Sequence, residues 1–169
     1  QLRFSDMRKF GKVYLTNDIK TITGKLGPEP LEDSFSLDVF EERLAGRSKM
    51  IKPLLLDQTF VAGVGNIYAD ESLHMAGIHP KRRSNSLTDD EVQALYGTVR
   101  AALQKGIDQE GASFSWYRKP DGEPGAMHKH FLVFRREGEP CYNCGTMVEK
   151  IRVAQRGTHF CPACQPLGS

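Results

Sequence analysis

Residues 51–80, IKPLLLDQTFVAGVGNIYADESLHMAGIHP, decide the fold of this chain. Pro53 suits the first turn of a helix, because its missing N–H would have no hydrogen-bond partner there. The three leucines at 54–56 follow it and predict a short buried helix that ends near Asp57. A glycine-rich segment then separates this helix from a second one.

The glycine-rich turn at residues 60–65 leads into that second helix. Asn66 suits the N-cap of a helix over residues 67–75, which Gly77 and Pro80 close. The backbone N–H groups of the turn and the positive end of the helix dipole form a candidate anion site, to which Asn66 adds a donor. The alternative is a tight turn with an asparagine cap, and the two interpretations are compatible.

Two further helices are predicted on either side of this unit. Before it, Ser36 precedes apolar residues at helical spacing over 37–44, and Gly46 is a glycine of the kind that ends helices. After it, residues 88–91 (TDDE) form a capping box for a helix that should fade near residues 106–111. The apolar stripe of that helix comprises Val92, Leu95, Val99, Ala102 and Leu103.

The segments between these helices carry turn and strand signals. Residues 24–34, GKLGPEPLEDS, are predicted to be a linker, because glycine and proline break any regular element. Residues 112–130 are predicted to form a loop, and residues 131–135 are strand-like. Residues 2–15 alternate loosely and predict a β-hairpin.

The centre of that hairpin, DMRKFG at residues 6–11, is polar and cationic. A phenylalanine in such a setting could wedge between bases, while the neighbouring arginine bonds base edges or phosphates. Phe10 and Arg8 are the residues concerned. The alternative is a Phe10 side chain that is partly buried in the protein.

The last 30 residues form a cysteine module. Two CxxC pairs are separated by sixteen residues, and they comprise Cys141, Cys144, Cys161 and Cys164. Two such knuckles can surround a tetrahedral ion, so we expect one structural Zn²⁺ with no open coordination position. The alternatives are two disulfides or a redox dithiol, but neither a secretory signal nor a thioredoxin-like pattern supports them.

Between the two knuckles, residues 150–157 predict a β-hairpin whose tip carries Gln155, Arg156 and Gly157. An arginine on a zinc-pinned hairpin can grip phosphate. The alternative is a tip that is merely solvated.

Composition excludes several classes of protein. Of the 169 residues 39% are apolar and 26% are charged, which argues against wholesale disorder. No apolar run approaches 18 residues, so we expect neither a transmembrane helix nor a secretory signal. The net charge of +2 says little, but basic clusters segregate from acidic ones, which fits either a polyanionic partner or solvated faces.

Together these segments resemble the formamidopyrimidine-DNA glycosylase family, which includes the endonuclease VIII branch. The resemblance rests on DMRKFG, on LLLDQ, VAGVGNIYADE and AGIHP, and on AQRGTHFCPACQ near the end of the chain. It implies a mainly α fold with a small β component: a helix–two-turn–helix domain, then a four-cysteine zinc finger, preceded by an orphan β-hairpin. Arg8 before Phe10 and the DGEPG loop favour the formamidopyrimidine branch.

The resemblance also implies a role for particular side chains. Arg8 would contact the base opposite the lesion, and Phe10 would fill the space beside it. Asn66 would grip a phosphate, and Arg47 would contact DNA. Arg156 would grip phosphate and assist the δ-elimination step.

The resemblance divides the chain into four parts: residues 1–23, the terminal strands of an N-terminal β-sandwich; residues 24–34, a linker; residues 35–130, the helix–two-turn–helix domain; and residues 131–169, the zinc finger. The loop at residues 113–127 would close over an extruded base. Ala126, Met127 and His128 stand where the family usually has aromatic residues, so base recognition stays open.

The activity implied is that of a bifunctional glycosylase and abasic-site lyase of base excision repair, which removes oxidised purines (8-oxoguanine, formamidopyrimidine). Family chemistry uses an N-terminal proline amine beside a glutamate, whereas this chain starts Gln1–Leu2. No sequence feature places a lysine beside a carboxylate in a pocket. We therefore expect no turnover from this chain alone.

The expected partner is double-stranded DNA with oxidised bases or abasic sites, bound by a monomer in the cytoplasm of a bacterium, at the nucleoid. One alternative is a stand-alone, zinc-dependent module that binds damaged DNA without catalysis. Another is a zinc ribbon that binds protein, which would show no affinity for DNA.

Overall fold

The computed structural model describes residue 4, residues 10–112 and residues 122–168. In these residues five α-helices are followed by one antiparallel β-hairpin, so the expected fold class is confirmed. The elements are α1 Lys20–Thr23, α2 Leu37–Leu44, α3 Ile51–Leu55, α4 Asn66–Met75, α5 Asp89–Asp108, β1 Glu149–Val153 and β2 Arg156–Phe160. Short 3₁₀ turns lie at Ser84–Ser86 and Met127–His130.

Helices α2 to α5 share one apolar core, in which α4 lies along α5. The rings of Phe35 and Phe60 flank that of Phe40, each with its centroid 5.8 Å away. Leu73 of α4 and Leu95 of α5 are fully buried. Removal of these side chains from water is the main stabilising term for the helical domain.

The predicted caps of α2 and α5 and the glycines predicted to end α2 and α4 are confirmed. The Thr88 hydroxyl accepts the Glu91 N–H at 3.2 Å, and the Glu91 carboxylate accepts the Thr88 N–H at 2.9 Å, which completes the capping box. Ser36 caps α2 by accepting the Val39 N–H at 3.3 Å. Gly46 and Gly77 follow their helices with φ of +71° and +70°, in the left-handed region that glycine tolerates best.

The connection from α3 to α4 is a pair of turns fixed by one side chain. The Gln58 amide donates to the Val64 carbonyl at 3.0 Å and accepts the Gly63 N–H at 2.9 Å. The segment at residues 24–34 lies against the same turns, because the Gly27 N–H donates to the Gln58 carbonyl at 2.8 Å. The turns that lead into α4 are therefore fixed by the Gln58 side chain and by the segment at residues 24–34.

Two strand predictions are wrong where the structure describes them. Residues 10–16 adopt no regular structure, and Val13 and Leu15 are exposed, with no strand beside them among the described residues. An isolated two-stranded hairpin is marginal in water. The other half of that predicted hairpin, residues 2–3 and 5–9, lies outside the described residues. Residues 131–135 also form no strand, because their N–H groups bind a carboxylate instead (below).

Within the described ranges, no helix combines the length and the apolar character that crossing a membrane requires.

Candidate nucleic-acid interface and metal centre

The four cysteines meet at one point. Their sulfur atoms all lie within 4.8 Å of one another. The Sγ atoms of Cys144 and Cys161 are 3.4 Å apart, and those of Cys141 and Cys164 are 3.8 Å apart. A tetrahedral zinc site with Zn–S bonds of about 2.3 Å requires sulfurs roughly 3.8 Å apart, so the cluster fits that ion.

The chemistry of the sulfurs also fits a cation. Hydrogen bonds from Thr146 lower the pKa of Cys144 to about 6, so this ligand is a thiolate at neutral pH. Burial raises the pKa of Cys161 and of Cys164, so four thiolates need a dication between them to coexist. The site is a structural zinc centre whose four protein ligands leave no open position.

Two buried side chains tie the knuckles to the helical domain. His74 of α4 places Nε2 3.5 Å from Cys141 Sγ. The Gln165 amide accepts the Cys161 N–H at 2.9 Å and donates to the Ile78 carbonyl at 2.8 Å. The zinc module is therefore docked on α4 and on the turn that follows it.

The hairpin between the knuckles differs in detail from its prediction. Ala154 and Gln155 form the tip, with φ of +45° and +65°, as in two-residue hairpin turns. Arg156 and Gly157 belong to β2, where Arg156 pairs with Val153. The Arg156 side chain is exposed, and its guanidinium makes no hydrogen bond to any residue that the structure describes.

Asn66 has a different local role from the predicted cap. Gly65 is the N-cap of α4, and Asn66 makes no side-chain capping bond. Instead its Nδ2 donates to the Gly157 carbonyl at 3.0 Å. Asn66, the start of α4 and the residue next to Arg156 thus meet at one surface. The second N–H of the amide stays available to a ligand.

Behind this surface lies an ion pair that the sequence did not reveal. Lys52 Nζ is 2.6 Å from Asp70 Oδ1, and neither side chain has exposed surface. Lys52 also donates to Thr158 Oγ1 at 2.8 Å and to the Gly157 carbonyl at 3.1 Å. Burial lowers the pKa of Lys52, although the Asp70 carboxylate opposes this effect.

No sequence feature placed a lysine beside a carboxylate, and the structure reveals this pair. A lysine with a lowered pKa can act as a nucleophile when a substrate reaches it. Strand β2 closes over Lys52, however, and its side chain is fully buried. The pair is therefore a structural contact between the helices and the hairpin.

Glu71 explains the missing strand at residues 131–135. Its carboxylate accepts three consecutive backbone N–H groups: Leu132 at 2.7 Å, Val133 at 3.0 Å and Phe134 at 2.9 Å. These donors would otherwise face a strand partner. Consecutive carboxylates on α4, Asp70 and Glu71, thus hold the β2 strand and the start of the zinc module.

Of the other predicted site residues, the structure describes Arg47 and Phe10. Arg47 is half-buried: its Nε donates to the Arg43 carbonyl at 2.7 Å, and its guanidinium lies 5.4 Å from the Phe60 ring centroid. Phe10 is 81% exposed. Arg8 lies outside the described residues, as do residues 113–121 of the predicted lesion loop.

A cavity of about 620 Å³ lies where α4 meets the end of α5. Its wall is mostly apolar, with Ile67 and Tyr68 on one side and Leu103 and Ile107 on the other. Ala112, which directly precedes the predicted lesion loop at residues 113–127, also lines the cavity. Sequence reasoning missed this cavity, because its walls come from two helices that are distant in the chain.

Models of known protein families match both the helical domain and the zinc module of this chain. The family model described as "Formamidopyrimidine-DNA glycosylase H2TH domain" matches residues 26–117. The chain belongs to the formamidopyrimidine-DNA glycosylase family. The model described as "Zinc finger found in FPG and IleRS" matches residues 138–167, which include all four cysteines.

Individual members of the formamidopyrimidine-DNA glycosylase family agree. The enzyme of that name from Symbiobacterium thermophilum is 49% identical over 171 residues, which cover 99% of this chain and 56% of the relative. The one from Herpetosiphon aurantiacus is 47% identical and covers 98% of this chain and 61% of the relative. The chain therefore spans less than two thirds of the length of these relatives.

Solved structures of the family match as well. The MutM (Fpg) protein of Thermus thermophilus superposes with a TM-score of 0.89 at 44% identity, over 97% of this chain and 64% of that one. Lactococcus lactis Fpg in complex with DNA that contains an abasic site gives a TM-score of 0.88 at 42% identity, over 96% of this chain and 61% of that one.

Proposed function

We propose that this chain is the DNA-binding part of a bifunctional DNA glycosylase and abasic-site lyase of base excision repair. The observation that carries the proposal is the meeting of Asn66, the N-terminus of α4 and the exposed Arg156 strand at Gly157. The whole protein would excise oxidised purines such as 8-oxoguanine and formamidopyrimidine, and would then cleave the abasic site. Its partner would be double-stranded DNA that contains such lesions.

The physical basis of the grip is a phosphate site made from two modules. The positive end of the helix dipole at the start of α4, a ten-residue helix, favours an anion. The Asn66 amide adds a neutral donor, and the Arg156 guanidinium adds charge and up to two parallel hydrogen bonds. Contacts of this kind fix the register of a protein on DNA without reading the sequence.

Further roles follow for the remaining residues. Arg47 would add a guanidinium contact to the backbone, and Arg8 with the exposed Phe10 would fill the gap that an extruded nucleotide leaves. The cavity beside Ala112 would form one wall of the base pocket, with the loop at residues 113–127 closing over it. Arg156 would also assist δ-elimination.

We propose that the chain alone has no glycosylase turnover, and that it binds DNA as a monomer in the bacterial cytoplasm, at the nucleoid. Imine formation needs an accessible amine beside an acid group. Of the described lysines, only Lys52 has a buried side chain and a carboxylate partner, and β2 covers it. This burial supports assigning the chain to DNA binding and the nucleophile to other residues of the whole protein.

The test compares point variants of the zinc-loaded chain on a duplex with a tetrahydrofuran abasic-site analogue. Arg156→Ala and Asn66→Ala should each weaken binding by roughly tenfold, because each removes a phosphate contact. Arg152→Ala is the matched control. Arg156 pairs with Val153 and shares its face of the hairpin, whereas Arg152 precedes Val153 in β1 and so points to the opposite face.

A loss of affinity in the Arg152 control as large as that in Arg156→Ala would contradict the proposed site. Incubation with an 8-oxoguanine duplex, and borohydride trapping of any imine, tests the second part of the proposal. Strand cleavage by the chain alone would contradict it.

A further inference from the structure

Three polar residues of α4 face the zinc module. Asn66 donates to the Gly157 carbonyl at 3.0 Å, Asp70 Oδ2 accepts the His159 N–H at 3.0 Å, and His74 approaches Cys141 Sγ at 3.5 Å. Their spacing of four residues puts them on one side of the helix. Helix α4 therefore presents a polar stripe to the module along its whole length.

Lys52 of α3 completes the set from a second direction. Its ammonium group, held 2.6 Å from Asp70 Oδ1, contacts both the Gly157 carbonyl and the Thr158 hydroxyl. As a result, the three residues that follow Arg156 in β2 are each held by a side chain of the helical domain. No equivalent contact to α3 or α4 holds β1 within the described residues.

Such contacts set where Arg156 lies. A two-stranded hairpin has little orientation of its own, so its position depends on what it docks against. Arg156 directly precedes residues 157–159, the stretch that these contacts hold, so any movement of Gly157 also moves Arg156. A displacement of about 1 Å is enough to break hydrogen-bond geometry at a phosphate.

We propose that Lys52 and Asp70 are positioning residues that align Arg156 with Asn66 and the N-terminus of α4, so that both modules grip one DNA backbone. The inference rests on the proposed function, since it assigns a purpose to the position of Arg156. A buried ion pair is weak evidence for stability, because an apolar pair of similar volume often stabilises as well. Its distinctive property here is directional: the pair satisfies the Gly157 carbonyl, the Thr158 hydroxyl and the His159 N–H together, which apolar side chains cannot do.

The experiment is a double-mutant cycle in the zinc-loaded chain. The variant Lys52→Met/Asp70→Leu replaces the ion pair with apolar side chains and strands no charge. It is combined with Arg156→Ala, and affinity for the tetrahydrofuran duplex is measured by fluorescence anisotropy across a salt series. Val99→Ala, a change in the α5 core far from the hairpin in sequence, is the control for lost stability.

We expect Lys52→Met/Asp70→Leu to keep its zinc and to weaken binding by roughly five- to tenfold, close to the loss in Arg156→Ala. The slope of log affinity against log salt should fall by about one, as it does when one phosphate contact is lost. In the triple variant the two losses should not add, because both act on the same contact. Val99→Ala should leave the affinity and the slope unchanged.

Different failures have different signatures. If Arg156→Ala weakens binding but Lys52→Met/Asp70→Leu does not, positioning is overturned and the proposed function stands. If the two losses add fully, the pair acts on stability or on another contact, and the inference is again overturned. If Arg156→Ala itself has no effect, the proposed phosphate grip fails and the inference falls with it.

A milder variant keeps the inference testable if Lys52→Met/Asp70→Leu does not fold. Thr158→Val has nearly the same shape and leaves the ion pair intact. It removes the hydroxyl that accepts from Lys52 and donates to the Arg156 carbonyl, and so loosens the same alignment. It should weaken binding about threefold in the wild-type chain and not at all in Arg156→Ala. An equal loss in both backgrounds would overturn the inference.

Discussion

Substitution of Glu71 by glutamine should detach the start of the zinc module while leaving its ligands intact. The Glu71 carboxylate binds the N–H groups of Val133 and Phe134 through Oε1 and that of Leu132 through Oε2. Glutamine can keep one of these oxygens, but its NH₂ group must then face a backbone donor. The least costly arrangement retains the two bonds at Oε1 and loses the one to Leu132.

The magnitude follows from this count. A buried N–H left without an acceptor costs about 1–3 kcal/mol, and each of the two remaining bonds falls from charge-assisted to neutral strength, a loss of about 1 kcal/mol. Burial raises the pKa of Glu71, which lowers the net value of its charge, so we take the lower half of the range. The total is about 3–4 kcal/mol, or a fall in Tm of roughly 6–16 °C for a chain of this size.

Urea unfolding and calorimetry with zinc present measure this loss, and amide hydrogen exchange at residues 132–134 locates it. Glu139→Gln is the matched control: the Glu139 side chain is 56% exposed and pairs with Arg136 at 2.8 Å. Arg136 is buried, but Glu139 lies in solvent that screens the pair, so its loss should cost about 1 kcal/mol. A Tm for Glu71→Gln within about 2 °C of the wild type, with residues 132–134 still protected, would refute the reasoning.

Three other outcomes are expected. Chelation of zinc should unfold residues 138–167, which NMR would show as loss of their dispersed amide resonances. Helices α2–α5 should persist, because the core at residues 35–99 contains no residue of the zinc module. Loss of the resonances of both regions together would contradict this. Gly27→Ala should destabilise by about 1–3 kcal/mol in urea unfolding, since a Cβ would lie 2.7 Å from the Phe60 carbonyl. Gly97 lies in the interior of α5, and no heavy atom lies within 4 Å of a Cβ added there. Gly97→Ala should therefore stabilise the protein by about 0.5–1 kcal/mol. Equal effects of Gly27→Ala and Gly97→Ala on stability would show that the clash at Gly27 is unimportant.

The features that the sequence predicted are those that depend on neighbouring residues. The Thr88–Glu91 capping box, the glycines after α2 and α4, and the two cysteine knuckles each act within a few residues, so a local pattern was enough to find them. The hairpin tip was predicted at residues 155–157 but lies at residues 154–155. Strand register depends on turn geometry, and Ala154 and Gln155 carry no glycine signal.

What the sequence did not predict depends on distant residues. Lys52 and Thr158 are 106 positions apart, and nothing near Lys52 indicates that its side chain is buried. One signal was available: Asn66, Asp70 and His74 recur every four residues, a polar stripe on a helix that also carries the buried apolar residues Ala69 and Leu73. Charged residues are almost never fully buried unless they are paired, so such a stripe indicates a docking face.

The central claim is that the zinc-ordered hairpin and the start of α4 together grip the phosphate backbone of DNA. The most direct measurement is fluorescence anisotropy of the chain with an abasic-analogue duplex and with an undamaged one, across a salt series, before and after removal of zinc. We predict that log affinity falls steeply with log salt, that binding collapses when zinc is removed and returns when zinc is restored, and that the abasic duplex is preferred. Binding that is independent of salt, or that survives removal of zinc unchanged, would contradict the claim.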